Sequence, residues 1–398
     1  MLERSIVGLV LSWMIGASPV YAAEEASNRT LRLPIVDAGD WIFVPISAGR
    51  EMTHASVGQI AGDDQGFLWF ATREGLLRYD GYRVRPYDPF SNGVRGPGNV
   101  EECCPALSLL PGMSRYSLFK DVSGKVWIGG DGSVHQYDSL TDQIRRFRFP
   151  SDEIQGFVRN VYQDRQGAIW LATSHGLIRF DQQTGETKDF LHREGDPNTL
   201  SSNQVRSTLE SRDGAFWVAT NLSVDLFDRR KGTVLKTFSL RNPMQRPPTI
   251  GNPYVRMLED KSGTIWVASA RDGLAFMTPT SKSLTFVSLS SGPEPELGAW
   301  AILEGKNGAI WIGSERGLLE LEPNRRRLIR YRNNPADATT LPSDWVLALY
   351  EDREDGIWVG TANGGAARFS ETQIPFHRYR RTEFGDDIGQ NYIFAGYE

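Results

Sequence analysis

A closed ring of seven four-stranded antiparallel blades, an all-β seven-bladed β-propeller, is the fold this sequence predicts. Three observations carry it. A tryptophan recurs at 69, 127, 170, 217, 266, 311 and 358, at intervals of 58, 43, 47, 49, 45 and 47 residues, which is the period of stacked supersecondary units. A glycine stands three residues before six of these tryptophans (Gly66, Gly124, Gly167, Gly214, Gly263, Gly308), where a tight turn calls for positive φ. In the seventh copy Asp355 holds that place, one residue ahead of Gly356. Alanine or glycine follows every repeat Trp at the second position: Ala71, Gly129, Ala172, Ala219, Ala268, Gly313 and Gly360.

Each unit reads in order as an inner apolar strand, a polar turn, the Trp strand, a Gly-Leu strand and an outer strand. The best-formed segments are Asp-Arg-Gln-Gly-Ala-Ile-Trp-Leu-Ala-Thr at 164–173 and Asp-Lys-Ser-Gly-Thr-Ile-Trp-Val-Ala-Ser at 260–269. Alternation sends Trp170 and Ala172 to one face of the strand and Ile169, Leu171 and Thr173 to the other; the small residue is expected to make room for the indole of its own blade. Both faces are apolar, as a sheet held between two neighbours requires, and closing the array into a ring removes its open ends. Asp164 and Asp260 read as Asx-turn formers rather than as catalytic carboxylates.

Two segments compete for the outermost slot of the last blade, Phe43-Val44-Pro45-Ile46-Ser47 and Phe376-His377-Arg378-Tyr379-Arg380. The amino-terminal one is expected to take it and tie the ends of the ring together, with Pro45 tolerated because its missing donor faces solvent. Ahead of it, Arg4, the apolar stretch from Ile6 to Ala17 and Val20-Tyr21-Ala22 read as a secretory signal peptide cleaved before Ala23. The division is therefore 1–22 signal peptide, 23–42 lead-in, 43–380 propeller and 381–398 the start of an incomplete eighth repeat. Residues 91–115, with the adjacent Cys103 and Cys104, read as a surface insertion.

Composition excludes several functions. With 49 acidic against 44 basic residues, a net charge of −5 and no Lys/Arg block, the chain is a poor polyanion binder, so no nucleic-acid partner is expected. No run after the leader approaches the roughly 18 apolar residues of a membrane span. Two adjacent cysteines and five dispersed histidines (His54, His135, His175, His192, His377) match no metal-ligand spacing, so neither metal nor cofactor is expected. Gly313-Ser314-Glu315-Arg316-Gly317 places its serine one residue early for a nucleophile elbow, and no Walker loop occurs. No catalytic residue and no enzyme activity are assigned.

The phrases Asp-Arg-Gln-Gly-Ala-Ile-Trp-Leu-Ala-Thr-Ser-His-Gly-Leu-Ile-Arg-Phe-Asp and Gly-Phe-Leu-Trp-Phe-Ala-Thr-Arg-Glu-Gly-Leu-Leu-Arg-Tyr-Asp-Gly-Tyr resemble the two-component regulator propeller repeat, over residues 43 to 380. The resemblance implies a periplasmic sensor propeller of a bacterial receptor histidine kinase or diguanylate cyclase. In that family, further propeller repeats, an immunoglobulin-like module, a membrane helix and the kinase or cyclase follow; no such output module is in this sequence. Tyr392-Ile393-Phe394-Ala395-Gly396-Tyr397-Glu398 looks like the opening of another repeat, so the chain reads as the amino-terminal portion of a longer receptor.

The expected function is ligand sensing in the periplasm. The expected partners are a small molecule, with oligosaccharides among the candidates, and a second propeller or receptor partner. A non-catalytic interaction scaffold and a propeller lyase or glycoside hydrolase are the alternatives. Residues that vary between repeats are freer to serve a ligand than those that build blades. This singles out the loops after the Trp strands, with Arg73, Glu74, His175, Asn221, Arg271, Asp272, Glu315, Arg316 and Asn363, and the aromatics Tyr254, Trp300 and Trp345 at the starts of inner strands.

Overall fold

A computed structural model describes residues 28–38, 41–46, 50–87, 116–130, 133–147, 157–244, 254–278, 280–291 and 294–370. The leader, the 91–115 insertion with Cys103 and Cys104, residues 376–380 and the 381–398 segment lie outside the described residues.

Seven antiparallel sheets follow one another along the chain. The first blade is β4 (Val57–Gly62), β5 (Leu68–Thr72), β6 (Leu76–Tyr79) and β7 (Val84–Tyr87). The second runs from β8 (Ser117–Lys120) through β9 (Val126–Gly129) and β10 (Val134–Asp138) to β11 (Gln143–Phe147). The third holds β12 (Val158–Gln163), β13 (Ile169–Thr173), β14 (Gly176–Phe180) and β15 (Thr187–Phe190). In the fourth are β16 (Val205–Glu210), β17 (Phe216–Thr220), β18 (Ser223–Asp228) and β19 (Thr233–Ser239). Blade five is β20 (Val255–Glu259), β21 (Ile265–Ser269), β22 (Gly273–Met277) and β23 (Thr285–Val287). Blade six is β24 (Ala301–Glu304), β25 (Ile310–Ser314), β26 (Gly317–Leu321) and β27 (Leu328–Tyr331). Blade seven takes β28 (Val346–Glu351), β29 (Gly356–Thr361) and β30 (Ala366–Ser370) from this end of the chain and β3 (Val44–Pro45) from the other. Each inner strand packs on the next around the ring, and β28 meets β4. The molecule is a seven-bladed β-propeller.

Every repeat Trp lies on the second strand of its blade and is buried, none above 7% exposed. Each indole packs toward the following blade: Trp170 meets Phe216 and Phe227, and Trp358 closes the circle against Phe70 and Tyr79. In five of the seven blades the turn before the Trp builds itself around an aspartate. Oδ1 of Asp164 accepts from the backbone N–H of Gln166 and Ala168 (3.0 and 2.9 Å), while Oδ2 accepts from Trp170 Nε1 at 2.8 Å. Asp63, Asp121, Asp260 and Asp352 repeat the arrangement with Trp69, Trp127, Trp266 and Trp358. In blade four Ser211 holds Trp217 Nε1, and Asp213 accepts the turn N–H of Ala215 instead. Gly167 sits at φ +85° in this turn and Asp355 at +64° in its seventh copy, so the aspartate does adopt the left-handed conformation of the missing glycine.

The small residue two places after each Trp serves a purpose other than the one expected. A Cβ added at Gly129 would stand 2.7 Å from Val158 Cγ1, and one at Gly360 2.7 Å from Val57 Cγ1. It is the next blade's inner strand, not the blade's own indole, that needs the space.

Residues 43–47 were expected in the outer slot of blade seven, and β3 is there: Val44 pairs with Arg368 and Pro45 with Ala367, with both Val44 and Pro45 exposed. The lead-in does more than the sequence suggests. β1 (Arg29–Leu31) adds a fifth, parallel strand to β23, and β2 (Ile35–Asp37) does the same to β27. Residues 29–45 thus strap the outer edges of blades five, six and seven in succession. Phe43, 2% exposed, packs on Phe369 and Tyr331, Trp41 Nε1 donates to Tyr331 Oη at 2.8 Å, and Asp37 pairs with the buried Arg330 at 2.7 Å. Burial of these aromatics fastens the ring, because an open propeller would leave edge strands unpaired.

Candidate functional site

Inner strands begin on one face of the ring and end on the other, and the two faces are built differently. On the face of the aspartate turns, polar groups are answered by the next blade. The N–H groups of Arg165, Arg212 and Lys261 donate to Glu210, Glu259 and Glu304 of the following inner strand, and Arg229 bridges Asp164 (3.0 Å) and Glu210 (2.8 Å). This face is a structural belt.

The opposite face carries the loops after the Trp strands and the blade connectors. Among the described residues, six of these hairpins are locked by a Thr or Ser, as when Thr173 Oγ1 donates to Gly176 O and Thr361 Oγ1 to Gly365 O. Arg73, Glu74, His175 and Asn363 stand exposed at hairpin tips, and His175 Nδ1 lies 3.2 Å from Ser174 Oγ. Asn221 is half-buried, and its Oδ1 is shielded with no hydrogen-bond partner among the described residues.

Two predicted positions are less of a solvated rim than expected. Asp272 is only 4% exposed; its carboxylate takes bonds from Ser269 Oγ (3.0 Å) and Arg271 Nε (2.9 Å), and burial pushes it above the usual aspartate range against the pull of Arg271. Glu315 accepts from Gly298 N–H (3.0 Å) and Trp300 Nε1 (3.2 Å), and burial likewise raises it. Arg316 pairs with Glu294 at 3.1 Å. A short hairpin folding back on the connector leaves its carboxylates facing the blade's own donors. Asp272 and Glu315 therefore hold the loops in shape.

The aromatics at the inner-strand starts do come together. Tyr254 and Trp300 lie 5.7 Å apart and Trp300 and Trp345 5.3 Å apart between ring centroids, so blades five, six and seven carry one continuous row. Glu315 orients Trp300, whereas Trp345 Nε1 is shielded and has no hydrogen-bond partner among the described residues.

Sequence reasoning missed the arginines beside this row. Arg159, Arg206 and Arg256 are the second residues of β12, β16 and β20, on three successive blades. Arg256 lies over the Tyr254 ring at 5.7 Å and Arg159 over Phe157 at 5.0 Å. Burial, followed by the neighbouring charge of Arg159, pulls Arg206 down to about 10. The signal was present as Phe157-Val158-Arg159, Gln204-Val205-Arg206 and Tyr254-Val255-Arg256, but it sits in strands, and attention to loops passes over it. Among the described residues no group of three or more His, Cys, Asp or Glu is placed to hold a metal ion, and no helix is long and apolar enough to cross a membrane.

Comparison with known proteins agrees with this architecture. The extracellular domain of the putative hybrid two component system BT3049 from B. thetaiotaomicron superposes with a TM-score of 0.64 at 21% identity, over 83% of this chain and 42% of that one. The corresponding domain of BT4673 from the same organism gives 0.63 at 19% identity, over 82% and 39%; the chain spans about two fifths of the length of these domains. A catalytically inactive virginiamycin B lyase from Staphylococcus aureus with quinupristin superposes at 0.57 and 13% identity, over 83% and 98%. At these identities the likeness is one of fold. No curated protein matches the chain. The family described as two component regulator propeller matches residues 152–175 and 340–363, in each case an inner strand, its Trp strand and the loop that follows. Two of the seven repeats thus match the two component regulator propeller repeat.

Proposed function

We propose that this propeller is the ligand-binding part of an exported, periplasmic sensor in a two-component-type signalling system, and that it captures a small, sugar-like molecule at the loop-face mouth of its central channel. The observation that carries the reading is the contrast between the two faces. The turn face ties its aspartates and arginines together from blade to blade, while the mouth presents a row of three aromatic rings that includes the shielded, unanswered Trp345 Nε1, and the blade-four loop adds the unanswered Asn221 Oδ1. Rings that stack on C–H faces, flanked by polar atoms awaiting partners, are the furniture of a small-molecule pocket. The role proposed is binding rather than catalysis, because the buried carboxylates on this face, Asp272 and Glu315, are engaged by their own blades. Occupancy signals only to the extent that the ligand prefers one receptor arrangement over another.

Thermal melting of the full chain against a panel of neutral and acidic oligosaccharides tests the proposal. A binder at a hundred times its Kd stabilises by about 2.7 kcal/mol. Trp300→Ala and Trp345→Ala are expected to remove most of that shift. No shift across the panel, or a full shift in both variants, refutes the site.

A further inference from the structure

We infer that the ligand of this mouth is an acidic sugar whose oxyanion is held by Arg206, with Arg159 and Arg256 on either side. The inference rests on the ligand-binding reading above and narrows its chemistry.

Position is the first argument. The three arginines occupy the second place of the inner strand on blades three, four and five, at the end where those strands open onto the loop face. Arg159 and Arg206 are the extra residues of β-bulges, since pairing to the Trp strand skips from Val158 to Asn160 and from Val205 to Ser207. A bulge re-aims the side chain it frees. Tyr254 connects the group, lying under Arg256 and acting on the charge of Arg206.

Charge balance is the second. Elsewhere the fold neutralises its sheltered arginines internally: Arg229 meets Asp164 and Glu210, Arg271 meets Asp272, Arg325 meets Asp260, Arg330 meets Asp37 and Arg368 meets Asp352. At the mouth the pattern breaks. Among the described residues neither Arg206 nor Arg256 forms a salt bridge, and Arg206 Nε and Nη1 are shielded with no hydrogen-bond partner. The groups that act on the charge of Arg206 are a second cation, Arg159, and the phenol of Tyr254. A sheltered cation beside another cation is costly until an anion arrives. A planar guanidinium then offers paired donors that suit a carboxylate or sulfate.

The third argument is what adjoins the cations. Tyr254 belongs both to the arginine group and to the row with Trp300 and Trp345. An acid group on the arginines therefore brings the rest of the molecule over the indoles, and a pyranose ring offers the C–H face they stack on. The short arc of three cations suits one oxyanion rather than the extended backbone of a nucleic acid.

The test uses the full chain at constant ionic strength, titrated with sodium digalacturonate, sodium sulfate, sodium phosphate and neutral galactobiose, read by thermal melting and tryptophan fluorescence. Digalacturonate is expected to raise the melting temperature and to bind at least tenfold more weakly to Arg206→Gln and to Arg159→Gln. Arg165→Gln, an exposed arginine on the turn face, is expected to bind as wild type. Because sulfate stabilises proteins generically, only the Arg206-dependent part of a shift counts. Arg206→Gln without ligand is expected to melt no lower than wild type, since it removes an unbalanced cation; a clearly lower melt would mark Arg206 as structural and overturn the inference. Digalacturonate binding ten times tighter than either inorganic anion supports the acidic sugar, and equal affinities overturn it in favour of a free oxyanion. No Arg206-dependent response to any anion overturns it outright. Galactobiose binding that needs Trp300 and ignores Arg206 overturns it while leaving the ligand-binding reading in place.

Discussion

Replacing Asp164 by alanine is the sharpest test of how the blades are held together. Asp164 is 3% exposed and its two oxygens accept four bonds: Trp170 Nε1 at 2.8 Å, Arg229 Nη1 at 3.0 Å, and the N–H groups of Gln166 and Ala168 at 3.0 and 2.9 Å. Arg229 keeps Glu210 when the aspartate is gone. The turn N–H groups lie close enough to solvent to recruit water, whereas the indole N–H of a side chain 1% exposed does not. A buried donor left unanswered costs about 1–3 kcal/mol, and with the turn weakened as well the total is about 3–5 kcal/mol. Denaturant titration followed by circular dichroism measures it. Trp170→Phe removes the same donor from the other side, so the double variant is expected to cost at least about 1 kcal/mol less than the two single costs added. A cost below about 1 kcal/mol for Asp164→Ala, or strict additivity in the cycle, refutes the claim that carboxylate and indole act as a unit.

Two further outcomes are expected. Deleting residues 23–48 removes β1, β2 and β3 and opens the ring: Phe43→Ala alone is expected to cost about 3–5 kcal/mol in a denaturant titration, and the deletion more, with blade seven the first site of limited proteolysis; a deletion variant as stable as wild type contradicts closure by the strap. His135, 2% exposed on β10, is held down to about 4 by burial and by Arg146, against 6.5 for a free histidine. The unfolded chain therefore binds the extra proton between these values, and stability that is full above pH 6.5 falls as pH drops toward 4, by up to about 3 kcal/mol. Urea midpoints from pH 7.5 to 4.5 are expected to slope less in His135→Gln; identical slopes contradict this.

The blades were legible because their determinants are local and repeated. A Trp needs an acceptor, a turn needs a positive φ, and a neighbour's strand needs a small residue, so the same few side chains recur wherever a blade is made. The strap was not legible for the opposite reason. Arg29–Leu31 and Ile35–Asp37 are three residues each and pair in parallel with strands more than 250 residues away in sequence, too short for alternation to show and without a repeat to betray them. Asp272 and Glu315 were misjudged because charge in a loop was equated with exposure, while a tight hairpin turns such groups back onto its own donors.

The mouth was hidden by the repeat itself. A ring of like blades is nearly symmetric, so a lopsided ligand can be oriented only by positions at which the blades differ. The bulge position of the inner strand is one: Gly58 and Leu347 on blades one and seven against Arg159 and Arg206 on blades three and four, with Arg256 one register step further along on blade five. The start of that strand is another: Tyr254, Trp300 and Trp345 on blades five to seven stack into one continuous row, whereas on blade three Phe157 lies under Arg159 and blade four has Gln204 there. The two arcs overlap at blade five, where Tyr254 and Arg256 touch. A molecule with an acid group at one end and a ring at the other has one favourable direction across such a mouth: acid toward blades three and four, ring toward six and seven. Moving the central cation across the ring, with Arg206→Leu and Leu347→Arg in one chain, would keep the composition of the mouth while taking the acid's anchor from blade four to blade seven, and a ligand read by direction would lose its binding although every chemical group it needs is still present.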